Sequence, residues 1–365
     1  LIKKYQLAPP DKYTKELCYS YTFEVNIHDF VDIEKLEVQP DPKAHPDLQK
    51  DKSLVMCWDL ETDDLKPTGN APDPNDVFDQ DGQPRAVIEI ECCSFHWQYS
   101  KDPLLVVAIS VMPAPIRNDC LSIQVRNQVD IIKVKALLTE RMAPEFLTGF
   151  NDGTYDWPFI NRRVEMYDQQ EGKKIHEFMK THMSSVPYVK SPGKNGKVWE
   201  NVTGIHEEKR IKVEADSYLD IENFEAPGFI CVDTRTIFRQ MFPTAEKTSL
   251  NFFLAISKLG SKADMDYIVM FKIFRLMRRL VQKFKTRDFE KIKTMFMAIM
   301  AKNGDDYCPL KDDTGDDGLS SKGFLGDKDD VYNVTKLNCK DMLVLIELVT
   351  DVIHYCIIDA RRCKE

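Results

Sequence analysis

The stretch "SLVMCWDLET", residues 53–62, limits the possible folds more than any other part of the chain. It is an apolar run rich in strand formers that ends abruptly in acids, the form of a central strand delivering carboxylates at its C-terminal end. Alternation along that strand puts Asp59 and Glu61 on one face. Two like charges so placed repel, and unless a cation sits between them one carboxyl stays protonated, so the pair is a natural metal site. Taken alone, the same three residues equally describe a solvated strand end.

Other strands and helices can be placed around this one. "AVIEIECCSFHW" and "LLVVAISVM" read as strands, antiparallel neighbours of the first, and a helix around 128–140 leads to a short strand in "EFLTGFN". "GFICVDTRTIF" reads as a strand entering a helix, and "TSLNFFLAISKLG" as a capped helix closed by Gly260. From Asn338, as N-cap with Asp341 three residues on, one strong helix is expected to run to the end of the sequence. Residues 1–50 combine a strand-like "YTFEVNI" with a proline-rich approach and read as a linker or domain edge. The acidic segment 63–85 reads as a surface loop. Residues 186–202 carry an Asn-Gly turn between strand-like flanks and read as a protruding hairpin. The acidic stretch 303–330 lacks the spacing of a calcium-binding helix-loop-helix.

Composition narrows the function classes. The chain has 365 residues, 43% hydrophobic and 30% charged, enough for one large domain or two modest ones. No apolar run approaches the roughly 18 residues of a membrane span, and the first residues lack the features of a signal peptide, so an intracellular protein is expected. Ten scattered cysteines without a CxxC pair read as buried thiols rather than zinc ligands or disulfides. A net charge of −9 argues against coating nucleic acid by bulk attraction, but leaves room for a carboxylate metal site and local basic patches. The basic segment 271–293 reads as an amphipathic helix with a solvated basic face, ahead of a DNA-contacting helix.

Two further acids stand out. Asp156 lies in "GFNDGTYDWPFI", past a strand end and before Trp157-Pro158, which also suits a helix N-cap. Asp359 sits on the last helix in "HYCIIDA", where either His354 or Tyr355 could partner it. At about 100° per residue, Tyr355 four positions back falls within about 40° of Asp359, whereas His354 five positions back is about 140° away. Geometry favours tyrosine, and gives His354 a flanking or packing role.

Taken together, "DLET", "NDGTYDWPFI" and "YCIIDA" resemble the three exonuclease motifs of family B DNA polymerases. "TSLNFF" resembles that family's Ser-Leu element for single-stranded DNA. The resemblance covers roughly residues 50–365 and is nearest to the polymerases of large DNA viruses. It implies an α/β, ribonuclease-H-like fold, a mixed central sheet flanked by helices, over 51–365. Insertions would fall at 63–85, 171–228 and 262–338, after a partial N-terminal β-containing segment at 1–50. It implies a proofreading 3′→5′ exonuclease in which Asp59, Glu61, Asp156 and Asp359 hold two magnesium or manganese ions about 4 Å apart. Tyr355 would orient the attacking water. Thr62, Asn151, Tyr155, Ser249 and Leu250 would grip a single-stranded or frayed 3′ end of primer-template DNA through sequence-blind contacts. A processivity factor is a further expected partner, and the site of viral DNA replication, cytoplasmic factory or nucleus, the expected location. Nothing resembles the family's polymerase motifs, so the chain reads as a fragment that degrades DNA without synthesising it. The alternatives are a free-standing exonuclease of the same four-acid type, distinguished by its use of RNA, and an inert structural module, against which the presence of all four acids and the tyrosine argues.

Overall fold

A computed structural model describes residues 6–7, 23–24, 53–65, 72–75, 86–171, 174–184, 190–192, 198–200, 205–213, 217–261, 264–311 and 334–364. Near the N-terminus it describes one short antiparallel pair, β1 (Gln6–Leu7) with β2 (Phe23–Glu24). Most of the proposed linker, of the loop 63–85 and of the acidic stretch 303–330 lies outside the described residues.

The centre is a six-stranded mixed sheet. Its strands are β3 (Leu54–Asp64), β4 (Ala86–Trp97), β5 (Leu105–Ser110), β6 (Leu121–Gln124), β7 (Phe146–Gly149) and, at the far edge, β12 (Ile230–Asp233). The spatial order is β12-β7-β3-β4-β5-β6, with β3-β4-β5 an antiparallel meander and β7 and β12 added in parallel beside β3. This is the ribonuclease-H-like α/β architecture expected from the sequence. One neighbour differs: the "LLVVAIS" strand pairs with β4 and not with β3.

Each face of the sheet carries its own core. Leu54, Met56, Trp58 and Leu60 of β3 pack against α1 (Gln128–Met142), α2 (Asp156–Glu171) and α3 (Ile175–Met183). Ile90 and Cys92 of β4 pack on the opposite face, against α6 (Tyr267–Phe284), α7 (Phe289–Asn303), α8 (Cys339–Glu347) and α9 (Val349–Arg362). A bulge explains how β4 serves both cores. Glu61 pairs with Ile90 but Thr62 with Ile88, so Glu89 is an extra residue and the side-chain alternation changes phase there. Ala86 and Ile88 therefore share a core with Cys93 and Phe95.

The remaining strands form two ribbons, and two further helices lead away from β12. The expected hairpin is present as β8 (Lys190–Pro192) against β9 (Val198–Glu200), its turn lying outside the described residues. A longer ribbon that the sequence reading did not foresee follows, β10 (Ile205–Lys212) against β11 (Tyr218–Glu225). Next come α4 (Thr234–Met241) and α5 (Leu250–Ile256).

Three expectations need correction. The last helix is interrupted at Leu348, where the N–H of Asp351 bonds the Leu348 carbonyl in a tight three-residue turn, so α8 and α9 are separate. Asn338 does cap α8, accepting from the N–H of Asp341. Gly260 does not close α5; Lys258 takes the left-handed conformation there, and Gly260 leaves space for Arg362, whose guanidinium a Cβ would meet at 2.7 Å.

The third correction concerns the basic segment, which is not a uniformly solvated face. It spans α6 and the start of α7, and two of its arginines turn towards the sheet. Arg275 is buried and donates to the Asp64 carbonyl at 2.9 Å, and Arg278 is ion-paired with buried Asp63 and lies 3.5 Å from Glu89. The acids that β3 and β4 bring to this end of the sheet require counter-charge, and α6 supplies it through Arg278. Lys283, Lys285, Arg287 and Lys291 are exposed as expected.

Candidate active site

The site forms where β3 parts from its parallel neighbour. Pairing with β7 ends at Cys57–Thr148, while β3 continues against β4 alone to Asp64. The edge of β3 beyond Cys57 is thus open to side chains from elsewhere. Alternation puts Trp58 and Leu60 into the core beneath α1 and α2, and turns Asp59 and Glu61 to the other face, towards α9.

Helix α9 closes over those two acids. Tyr355 donates its hydroxyl hydrogen to Asp359 one turn later, and Asp59, Glu61 and Asp359 all bear on that phenol. Burial, followed by those three negative charges, raises the tyrosine well above its ordinary range. Glu61 and Asp359 are buried, and Asp59 is half-buried. His354 is exposed on the far side of α9, with Nδ1 3.4 Å from Arg117, which also bonds Asp119. The choice of tyrosine over histidine on helical geometry agrees with this placement.

Asp156 approaches the open strand edge from the opposite side. The turn leading to it is tight: a Cβ on Gly149 would meet the Asp152 side chain at 2.7 Å. Asp156 begins α2 rather than preceding it, and the N–H of Trp157 bonds the Asp152 carbonyl at 2.8 Å. The Asp156 carboxylate accepts from the Leu60 N–H, one residue from both Asp59 and Glu61. Its pKa is pushed up to about 7, chiefly by burial, and Lys135 is the main charge opposing that rise.

The other residues singled out in the sequence divide into two groups. Thr62 and Tyr155 are joined hydroxyl to hydroxyl at 2.6 Å, on the α2 side of β3. Asn151, in a left-handed conformation with φ 70°, and the Thr248–Ser249 turn are linked through Arg235. Ser249 is exposed and caps α5, accepting from the N–H of Phe252 at 3.4 Å. Leu250 is buried and, with Phe238, Leu254, Arg362 and Cys363, lines a cavity of about 230 Å³.

Several residues of the site were missed in the sequence. Cys356 places its sulfur within 4.8 Å of carboxylate oxygens of both Asp59 and Glu61, and its thiol lies 3.6 Å from the Asp59 carbonyl. It sits three residues before Asp359, so the same helical reasoning that selected Tyr355 could have found it. Burial keeps this thiol protonated, leaving the carboxylates as the charged donors. Lys135 is fully buried beneath the site, donating to Glu91 at 2.6 Å with its ammonium 3.2 Å from the centre of the Trp58 ring. Its place among Ile131, Ile132, Ala136 and Thr139 on the buried stripe of α1 was the available signal.

Three buried or half-buried carboxylates on adjoining elements, with a fourth from α2 at the same strand edge, fit hard divalent cations. Oxygen donors predominate, and cations would offset the like charges that Asp59, Glu61 and Asp359 bring to bear on the Tyr355 phenol.

The model of the exonuclease domain of DNA polymerase family B matches residues 6–224. A DNA polymerase beta of African swine fever virus (isolate Pig/Kenya/KEN-50/1950) is 30% identical over 248 residues, 66% of this chain and 18% of the relative. That of isolate Tick/Malawi/Lil 20-1/1983 is 29% identical over 282 residues, 75% of this chain and 20% of the relative. DNA polymerase 037L of Invertebrate iridescent virus 6 is 24% identical over 222 residues, 58% of this chain and 15% of the relative. The chain thus spans between 15% and 20% of the length of these viral relatives. Because that family model covers more than half of the chain, the chain belongs to the exonuclease-domain family of the family B DNA polymerases.

Proposed function

We propose that the chain is the proofreading 3′→5′ exodeoxyribonuclease portion of a replicative viral DNA polymerase, hydrolysing the 3′-terminal phosphodiester of single-stranded or frayed primer DNA. The observation that carries this reading is the hydrogen bond from Tyr355 to Asp359, with Asp59 and Glu61 facing it from β3.

Asp59, Glu61, Asp156 and Asp359 are the residues that would hold two divalent ions, magnesium or manganese. When bound, such ions supply a water nucleophile near neutral pH and charge for the leaving 3′ oxygen. The protein's own contribution is placement. Tyr355, kept protonated by burial and its carboxylate neighbours, can offer a hydroxyl to orient the attacking water. Asp156, anchored on the Leu60 N–H, ties α2 to the strand that carries Asp59 and Glu61. Thr62 and Tyr155 would bear on the terminal nucleotide, and Asn151, Ser249 and Leu250 on the nucleotides behind it. These contacts are sequence-blind, as an enzyme that must remove any base requires.

The wider setting follows from the viral relatives. The partners would be primer-template DNA and a processivity factor, and the location the site of viral DNA replication within the cell. No helix among the described residues is long and apolar enough to cross a membrane. The β8–β9 hairpin would help separate primer from template, and deleting 186–202 is expected to weaken transfer of a primer end into the site; unchanged transfer excludes that role. To test the nuclease reading, a 3′ single-stranded oligodeoxynucleotide is incubated with the chain and magnesium beside Asp59→Ala. Stepwise loss from the 3′ end, abolished by the substitution, is expected. Equal rates on RNA would favour a free-standing nuclease of broader use.

A further inference from the structure

Two of the segments assigned to the DNA end, Asn151 after β7 and Thr248–Ser249 before α5, are nearly a hundred residues apart and are joined by one side chain that no motif includes. Arg235 is the second residue of α4, which Asp233 caps. Its backbone N–H and that of Asn151 share the same Asp233 carboxylate oxygen, each at 2.9 Å. Its guanidinium then spans the gap: Nη1 donates to Oδ1 of Asn151, and Nη2 to Oγ1 of Thr248 at 3.2 Å. The hydroxyl of Thr154 donates to the same Asn151 oxygen.

This arrangement decides which way the Asn151 amide faces. A guanidinium has five donors and no acceptor, so only the amide oxygen can face Arg235. The Nδ2 hydrogens are thereby turned away from Arg235, as donors. Phosphate and sugar oxygens are the acceptors a nucleic-acid strand offers at every nucleotide whatever its base, and a fixed N–H donor suits them. An amide free to flip would present its oxygen to them half of the time and repel them. The backbone at Asn151 is held as well, in the left-handed conformation and on Asp233, so neither main chain nor side chain is left to adjust.

We infer that Arg235 is a positioning residue of the DNA track. It fixes Asn151 with its amide hydrogens towards the bound strand, and holds the Thr248–Ser249 turn at a set distance from it. The inference rests on the exonuclease reading above and extends it to a residue outside the motifs. Because Arg235 acts through Asn151, its loss should weaken engagement of the strand rather than the chemical step.

The test uses the full 365-residue chain and a 3′ single-stranded oligodeoxynucleotide labelled with a fluorophore. Binding is followed by anisotropy in calcium and hydrolysis in magnesium. Arg235→Ala is expected to raise KM about 10-fold, the effect of one charge-assisted hydrogen bond, with kcat changed less than about 2-fold. Asn151→Ala should do the same, and the double variant should be no worse than either single one. Arg235→Lys, keeping the charge without the fork, should restore only part of the loss. Thr248→Val removes one arm of the link at unchanged charge and should also raise KM, which guards against a global folding defect in the alanine variant. A double variant that loses about 100-fold, the product of the two single effects, would overturn the inference, because Arg235 would then act on the strand by itself. A fall in kcat at unchanged KM would overturn it too. If the unmodified chain cleaves DNA but Asn151→Ala leaves KM alone, this inference fails and the exonuclease reading stands. If the unmodified chain neither binds nor cleaves, both fail.

Discussion

Tyr355 and Asp359 lie one helical turn apart on α9, the hydroxyl of the first bonded to the carboxylate of the second, while His354 points away towards Arg117. The two neighbours therefore predict opposite outcomes. Tyr355→Phe should slow hydrolysis by about 10- to 100-fold, the range for one catalytic hydrogen bond, and single-turnover rates would measure it. His354→Ala should leave the rate unchanged; the reverse pattern would mean that α9 presents its other face to the acids. Glu89 gives a pH dependence at the same scale. It is the extra residue of the β4 bulge, buried, and its pKa is pushed up to about 8 by that burial against the opposing charge of Arg287. A carboxyl with a raised folded-state pKa binds its proton more tightly in the folded state. Its contribution to stability is complete below the unfolded pKa near 4.5 and is lost as pH rises towards 8. Glu89→Gln should therefore gain stability relative to the unmodified chain between pH 5 and about 8 in urea unfolding. A difference that stays flat with pH would show that the carboxyl is ionised throughout.

Among the elements, α6 has the clearest role that the sequence left unassigned. Arg275 and Arg278 face the end of β3, where Asp63 and Asp64 follow the two site acids, and Arg278 neutralises fully buried Asp63. Without that partner Asp63 would be a buried charge with its nearest cation gone, so Arg278→Ala is expected to cost about 3 kcal/mol in chemical denaturation. Asp63→Asn in the same chain should recover much of this, and a loss below about 0.5 kcal/mol would show the pair to be solvated. The basic periodicity of α6 was legible, but its direction was not. A helix rich in both arginine and apolar residues reads as water-facing unless buried acids are known to lie opposite it. The interruption at Leu348 was equally invisible, since no proline or glycine marks it. By contrast, the cap Asn338 was readable because a short polar side chain before a periodic run has few other uses.

For the molecule as a whole, the sequence fell short on long-range connections more than on elements. The strand carrying Asp59 and Glu61, the helix carrying Tyr355 and Asp359, and the turn before Asp156 were each recognisable from local pattern. That α9 and α2 reach the same strand edge from opposite faces depends on β3 parting from β7 after Cys57, which no local pattern records. Lys135 and Arg235 escaped for a similar reason, because their partners lie far along the chain. The two-core arrangement does explain why so many acids are tolerated in one place. The sheet holds Asp59 and Glu61 on the α9 face and Lys135 with Glu91 on the other, so the site is built on a rigid floor with counter-charge beneath it. The most direct test of this account is product analysis of a 3′ single-stranded oligodeoxynucleotide incubated with the chain in magnesium, resolved nucleotide by nucleotide, with Asp59→Ala in parallel. A ladder shortening from the 3′ end that vanishes with the substitution is the predicted result; an intact oligonucleotide, or a ladder that Asp59→Ala leaves untouched, would contradict it.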